Sequence, residues 1–130
     1  MTGIDTNVLV RILVDDAKAI KQCKTARDFV SKQDKLFICT TVLVETVWVL
    51  QRAYAVEKKQ ILEILQQLLL QNSLVFEDEQ LIEKASDIYP TNKLGFSDAL
   101  ILASNSLNNC HLYTFDKKLG KHSLVSLLSS

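Results

Sequence analysis

Short apolar runs of four or five residues alternate along this chain with longer stretches of helical apolar spacing, and that alternation constrains the fold more than any other feature. Strand-length segments separated by helix-length ones predict an α/β domain whose sheet is mainly parallel, because each parallel strand needs a crossover before the next. The predicted strands are Thr2 to Asp5, Leu36 to Cys39, Ser73 to Phe76 and His111 to Phe115, with Leu124 to Leu128 as a further edge strand. A helix or turn is predicted over Asn7 to Leu13, and helices over Asp16 to Lys32, Thr41 to Tyr54, Lys58 to Gln71, Asp78 to Tyr89 and a segment from Ser97 to the Asn108-Asn109 pair, where Asn tolerates the left-handed conformation that closes helices. The loop PTNKLG, residues 90 to 95, holds the only proline. With 130 residues, 48% of them hydrophobic, 3 Gly and 1 Pro, residues 1 to 130 are expected to form a single domain without linker or low-complexity tract.

Charge and cysteine usage exclude several classes. Fifteen basic and fifteen acidic side chains cancel, so no global field draws the chain to nucleic acid or an anionic membrane. The halves differ mildly: residues 1 to 60 carry ten basic and seven acidic groups, and residues 61 to 130 carry five and eight. Cys23, Cys39 and Cys110 are odd in number and far apart, which predicts reduced thiols. No apolar run approaches the ~18 residues of a membrane span, and no apolar leader precedes Asp5, so cytoplasmic residence is the expectation.

Four acids stand out. Asp5 falls at the C-terminal end of the first predicted strand, the edge at which open parallel sheets bind ligands, and it reads equally as a cap for the helix that follows. Glu45 lies within TVLVETVWVL, where burial of an unpaired carboxylate would cost several kcal/mol, so it needs a partner or an exit. One exit is a solvent stripe, since Thr41, Glu45, Trp48 and Arg52 share a helix face. Asp98 opens an apolar helix, where the helix dipole favours an acid, and Asp116 ends a strand and starts a turn, where it also reads as a cap. Four carboxylates meeting at one sheet edge would repel by ~4 kcal/mol per close pair, so such a cluster calls for a divalent cation, and all-oxygen donors indicate Mg²⁺ or Mn²⁺.

Other chemistries lack their residues. His111 and His122 are the only histidines and no H-E-x-x-H occurs, which argues against a zinc hydrolase; Cys110 and His111 point to opposite faces of a strand and make no dyad. There is no P-loop, G-x-G-x-x-G or G-x-S-x-G. A phosphatase using Asp5 as nucleophile would want a second Asp two residues on, and Asn7 stands there.

The segments IDTNVLVR at 4 to 11, TVLVETVWVL at 41 to 50, GFSDALILA at 95 to 103 and LYTFDKKL at 112 to 119 resemble, in order and spacing, those of a PIN domain, and more narrowly the VapC-type toxins of toxin–antitoxin modules. The resemblance implies a PIN-like three-layer α/β/α sandwich with a small, mainly parallel central sheet, and a metal-dependent endoribonuclease whose acidic pocket comprises Asp5, Glu45, Asp98 and Asp116. It also implies a homodimer and an inhibitory antitoxin lying over that pocket. Thr6, Asn7 and Thr114 are the expected hydrogen-bonding supports of the acids. For substrate phosphates the candidates are Arg11, Arg52, Lys117 and Lys118, with Lys18, Lys21, Lys24 and Arg27 drifting round one broad helix face. Trp48 and Leu70 belong to an apolar surplus on adjacent helices that suits an interface. The alternative is a non-catalytic RNA- or protein-binding module that keeps a PIN-like fold.

Overall fold

A computed structural model describes residues 1–91 and 93–129. The chain folds as two compact units, Met1–Asp78 and Glu79–Ser130.

The first unit begins with β1 (Thr2–Gly3), whose chain turns at Asp5 into α1 (Thr6–Leu13). More than half of α1 is β-branched or Asn, poor helix formers, so the cap at its start matters: the Asp5 carboxylate accepts the Val8 N–H at 3.1 Å. Leu9 and Val10 turn inward from this helix. The second helix, α2, spans Ile20–Ser31, starting later than the expected Asp16. Asp16 instead makes a turn, its Oδ1 accepting the Lys18 N–H at 2.9 Å and its Oδ2 the Tyr54 hydroxyl at 2.7 Å. Side-chain bonding of this kind competes with helix continuation.

β2 (Leu36–Ile38) leads into α3 (Thr40–Ala53), followed by α4 (Lys58–Leu69) and β3 (Leu74–Phe76). The three strands pair in parallel in the order β1-β2-β3, with Thr2 opposite Leu36 and Leu36 opposite Leu74. Helix α1 packs on both α2 and α3. Val42, Leu43, Val47 and Leu50 form the buried stripe of α3, and each fully buried leucine side chain contributes about 1.5 to 3 kcal/mol. Thr46, 1% exposed among them, satisfies its hydroxyl by donating to the Val42 carbonyl at 2.7 Å. Ile61, Leu65 and Leu68 form the corresponding stripe of α4.

The second unit opens with α5 (Glu79–Ile88), a 3-10 turn at Tyr89–Thr91, and α6 (Phe96–Leu107). Asn92, in the expected PTNKLG loop, lies outside the described residues. Helix α5 runs against α6, and the Tyr89 ring meets Phe96 edge-on with centroids 5.5 Å apart. Past the end of α6, Asn109 takes φ 56°, and Asn109 N–H donates to the Ser106 carbonyl while Cys110 N–H donates to that of Asn105 at 2.8 Å. This is the paired closure of a Schellman motif, so the expected Asn stop operates. β4 (Leu112–Thr114) and β5 (Val125–Leu127) pair in parallel around a second 3-10 turn, Leu119–Lys121. Leu94, Leu102, Leu119 and Val125 form one buried cluster of this unit, with Ile88 and Leu112 packed against it.

Mixed α/β architecture with parallel pairing is therefore what the chain adopts, its strands distributed between a three-stranded and a two-stranded sheet. Among the described residues no helix is long and apolar enough to cross a membrane.

Candidate active site

Chain direction in β1 and β2 delivers Asp5 and the start of α3 to the same edge of the three-stranded sheet. Asp5 is exposed and uses Oδ1 for the cap, while its Oδ2 accepts no hydrogen bond among the described residues. The next residue, Thr6, donates its hydroxyl to Oε1 of Glu45 at 3.2 Å. That single bond crosses 39 positions and ties the turn after β1 to the second turn of α3. Glu45 is exposed, as are Thr41, Trp48 and Arg52, so the acid has both a partner and the solvent stripe as its exit. Asn7 is exposed one position further along.

Asp5 and Asn7 also line an open cleft of about 1060 Å³ together with Arg11, Lys21, Gln22 and Thr25. Arg11 is not a free cation in it. Its Nε donates to Gln22 at 2.9 Å, one terminal nitrogen donates to the Tyr54 hydroxyl at 2.9 Å, and the same nitrogen lies 3.7 Å from Asp16 Oδ2. The Tyr54 hydroxyl, with the Lys18 N–H and the Arg11 charge behind it, holds the Asp16 carboxyl below the usual carboxylate range. Arg27 is likewise engaged, with Asp15 at 2.7 Å. Of the other expected cations in this unit, Lys21 and Lys24 are exposed, and Arg52 sits over the Trp48 indole, its guanidinium carbon 5.3 Å from the ring centroid.

One further acid occupies the same sheet edge. Glu77 follows β3 as Asp5 follows β1, and its Oε1 accepts the Thr40 N–H at 2.9 Å. It supplies the helix cap that Cys39, at the cap position of α3, does not make with its own side chain. Neither this role nor Tyr54's part in the Tyr54–Asp16–Arg11 network is foreshadowed by spacing, since Glu77 lies 37 positions from Thr40 and Tyr54 lies 38 and 43 from Asp16 and Arg11.

In the second unit Asp98 is half-buried in the first turn of α6, where the helix dipole favours its charge. Asp116 is exposed after β4; its Oδ1 accepts the N–H groups of Lys118 and Leu119 at 2.8 and 3.1 Å, and its own N–H donates to Thr114 Oγ1 at 3.0 Å. Thr114 thus holds the Asp116 backbone, whereas Thr6 reaches the Glu45 carboxylate itself. Lys117 and Lys118 are exposed beside it.

In both units a carboxylate sits at a strand-to-helix or strand-to-turn junction, one oxygen fixed by backbone N–H groups and the other uncommitted. Hard, all-oxygen donors of this kind suit Mg²⁺ or Mn²⁺ rather than zinc. Among the described residues no three His, Cys, Asp or Glu side chains gather closely enough to hold a metal, so the residues define donor chemistry and not a coordination cage.

A family model described as the PIN domain matches residues 4–123. The chain belongs to the PIN-domain family, whose members are generally nucleases that use divalent metal ions. No curated protein matches the chain.

Proposed function

We propose that this protein is a Mg²⁺- or Mn²⁺-dependent endoribonuclease, the VapC-type toxin of a toxin–antitoxin pair, whose metal-binding and catalytic acids are Asp5, Glu45, Asp98 and Asp116. The observation that carries the reading is the hydrogen bond from Thr6 to Glu45, which couples the acid turn after β1 to the exposed acid of α3, 39 positions away. An acid kept only for solubility needs no such partner.

Phosphodiester hydrolysis needs an activated water and neutralisation of the charge that builds on the scissile phosphate, and a bound divalent ion supplies both. The chain's own part is positioning. The Val8 N–H fixes one oxygen of Asp5 and leaves the other for a ligand; Thr6 aims Glu45; the Lys118 and Leu119 N–H groups with Thr114 fix Asp116. Asn7 is a further hydrogen-bonding group at the Asp5 turn. Lys117, Lys118 and Arg52 are cations for substrate phosphates, with Arg11 lining the cleft beside Asp5. Exposed apolar side chains such as Leu70 suit an antitoxin or a second copy of the chain, in keeping with a cytoplasmic, homodimeric toxin.

The decisive experiment is incubation of total cellular RNA with the purified, antitoxin-free protein in Mg²⁺, Mn²⁺ or EDTA, beside Asp5→Asn and Asp98→Asn. Discrete cuts that vanish in EDTA and in both variants are expected. Folded protein that leaves several RNA pools intact in either metal overturns the nuclease reading.

A further inference from the structure

The solvent-facing stripe of α3 holds a feature that cleavage chemistry does not use. Trp48 stands one helical turn beyond Glu45 on the same face, and it is 58% exposed. An indole left in water forgoes a large hydrophobic gain, and tryptophan is among the side chains most often hidden on at least one ring face. Arg52, one turn further, lies over this ring rather than against an acid. An exposed indole with a guanidinium over its ring pairs a stacking surface with a cation for the phosphate of the stacked base. Helix α3 carries both this platform and a proposed catalytic acid, Glu45, whose carboxylate Thr6 ties to the turn after β1.

We infer that Trp48 and Arg52 form a stacking platform for an unpaired base of single-stranded RNA, with the strand running along α3 toward Glu45. The inference rests on the nuclease reading for its choice of ligand. Its occupant is set by charge and shape: a cation on an aromatic face complements a base and its phosphate, whereas an apolar protein partner would leave Arg52 to be desolvated. A duplex keeps its bases stacked internally, so the platform favours loops and single strands.

Trp48 is the only tryptophan in the chain, so its intrinsic fluorescence reports on this site alone. The experiment titrates Asp5→Asn protein, which keeps the RNA uncut, with short single-stranded oligoribonucleotides and with a duplex of the same sequence, while fluorescence anisotropy of a labelled strand follows total binding. Stacking should quench Trp48 in step with single-strand binding. Trp48→Ala should bind roughly tenfold more weakly, with an unchanged melting curve because the side chain is exposed. Arg52→Gln should lower the slope of log affinity against log salt by about 0.7. Binding seen by anisotropy without quenching overturns the platform and leaves the nuclease intact. Quenching by RNA with no cleavage by wild-type protein in metal keeps the platform and overturns the nuclease. A Trp48 signal that follows protein concentration without RNA marks the face as an interface between copies and overturns the inference.

Discussion

At Asp5 one carboxylate oxygen caps α1 and the other accepts no hydrogen bond among the described residues, and this is why the residue reads both as a cap and as a proposed ligand. The same holds for Asp116, whose pair of backbone donors is a local turn of the kind expected after TFDKK. Glu45 is different. An apolar neighbourhood makes it conspicuous, but its partner Thr6 is distant in sequence, and no spacing rule reaches across 39 positions. Because both groups are accessible, Thr6→Val should change stability by less than about 1 kcal/mol, yet lower activity or metal affinity roughly 10- to 100-fold, as loss of a ligand's support does. Thermal melts set beside cleavage rates would separate the two effects. Asp16 gives a pH signature of its own. Its carboxyl is held below the ordinary 3.8 by the Tyr54 hydroxyl, so its stabilising effect is present above that value and disappears as pH falls through the lower folded-state value. Tyr54→Phe removes the chief cause. Urea titrations between about pH 5 and pH 3 should show a shallower acid limb for the variant, and an NMR titration should move the Asp16 midpoint upward.

Element boundaries are readable where the backbone follows its own rules. Asn109 ends α6 in the left-handed region, as the Asn pair implies, and Asn109→Ala should cost about 1 kcal/mol there. Ala55 is not readable: it adopts φ 51° after α3, a conformation its Cβ opposes, and nothing in QRAYAV signals it. Ala55→Gly should therefore raise the unfolding free energy by about 0.5 to 1 kcal/mol, the relief of strain exceeding the added chain entropy. Gly120 shows the opposite sensitivity. A Cβ at that position would stand 3.0 Å from Leu127 Cβ, between the second 3-10 turn and β5, and Gly120→Ala should destabilise by about 1 to 3 kcal/mol. Chemical denaturation of the three variants checks all of these together. The late start of α2 escapes the sequence because the expected helix runs back to Asp16, and only the fold shows Tyr54 and the Lys18 N–H holding that carboxylate in a turn.

For the whole molecule, hydrophobic periodicity carries the class of fold, since parallel strands separated by helices leave an alternation in a single sequence. Periodicity says nothing of how many strands share one ladder, and the partition into β1-β2-β3 and β4-β5 is set by backbone pairing. The proposed metal dependence has a measure at this scale that needs no substrate. Mg²⁺ at a hundred times its dissociation constant should stabilise the folded chain by about 2.7 kcal/mol, and Asp98→Asn should lose that gain; equal melting curves with and without the ion would count against a metal site. Strand length has a further consequence. Among the described residues no strand exceeds three residues, although Leu127 of β5 and its neighbours Leu124 and Leu128 are about half exposed. Cross-β assembly recruits segments of about six or seven residues, and a three-residue edge offers an incoming chain too few backbone groups to template one. Brevity of the ladders thus guards the protein against fibre formation, and the hazard moves to the unfolded chain, where runs such as TVLVETVWVL are no longer wound into helix.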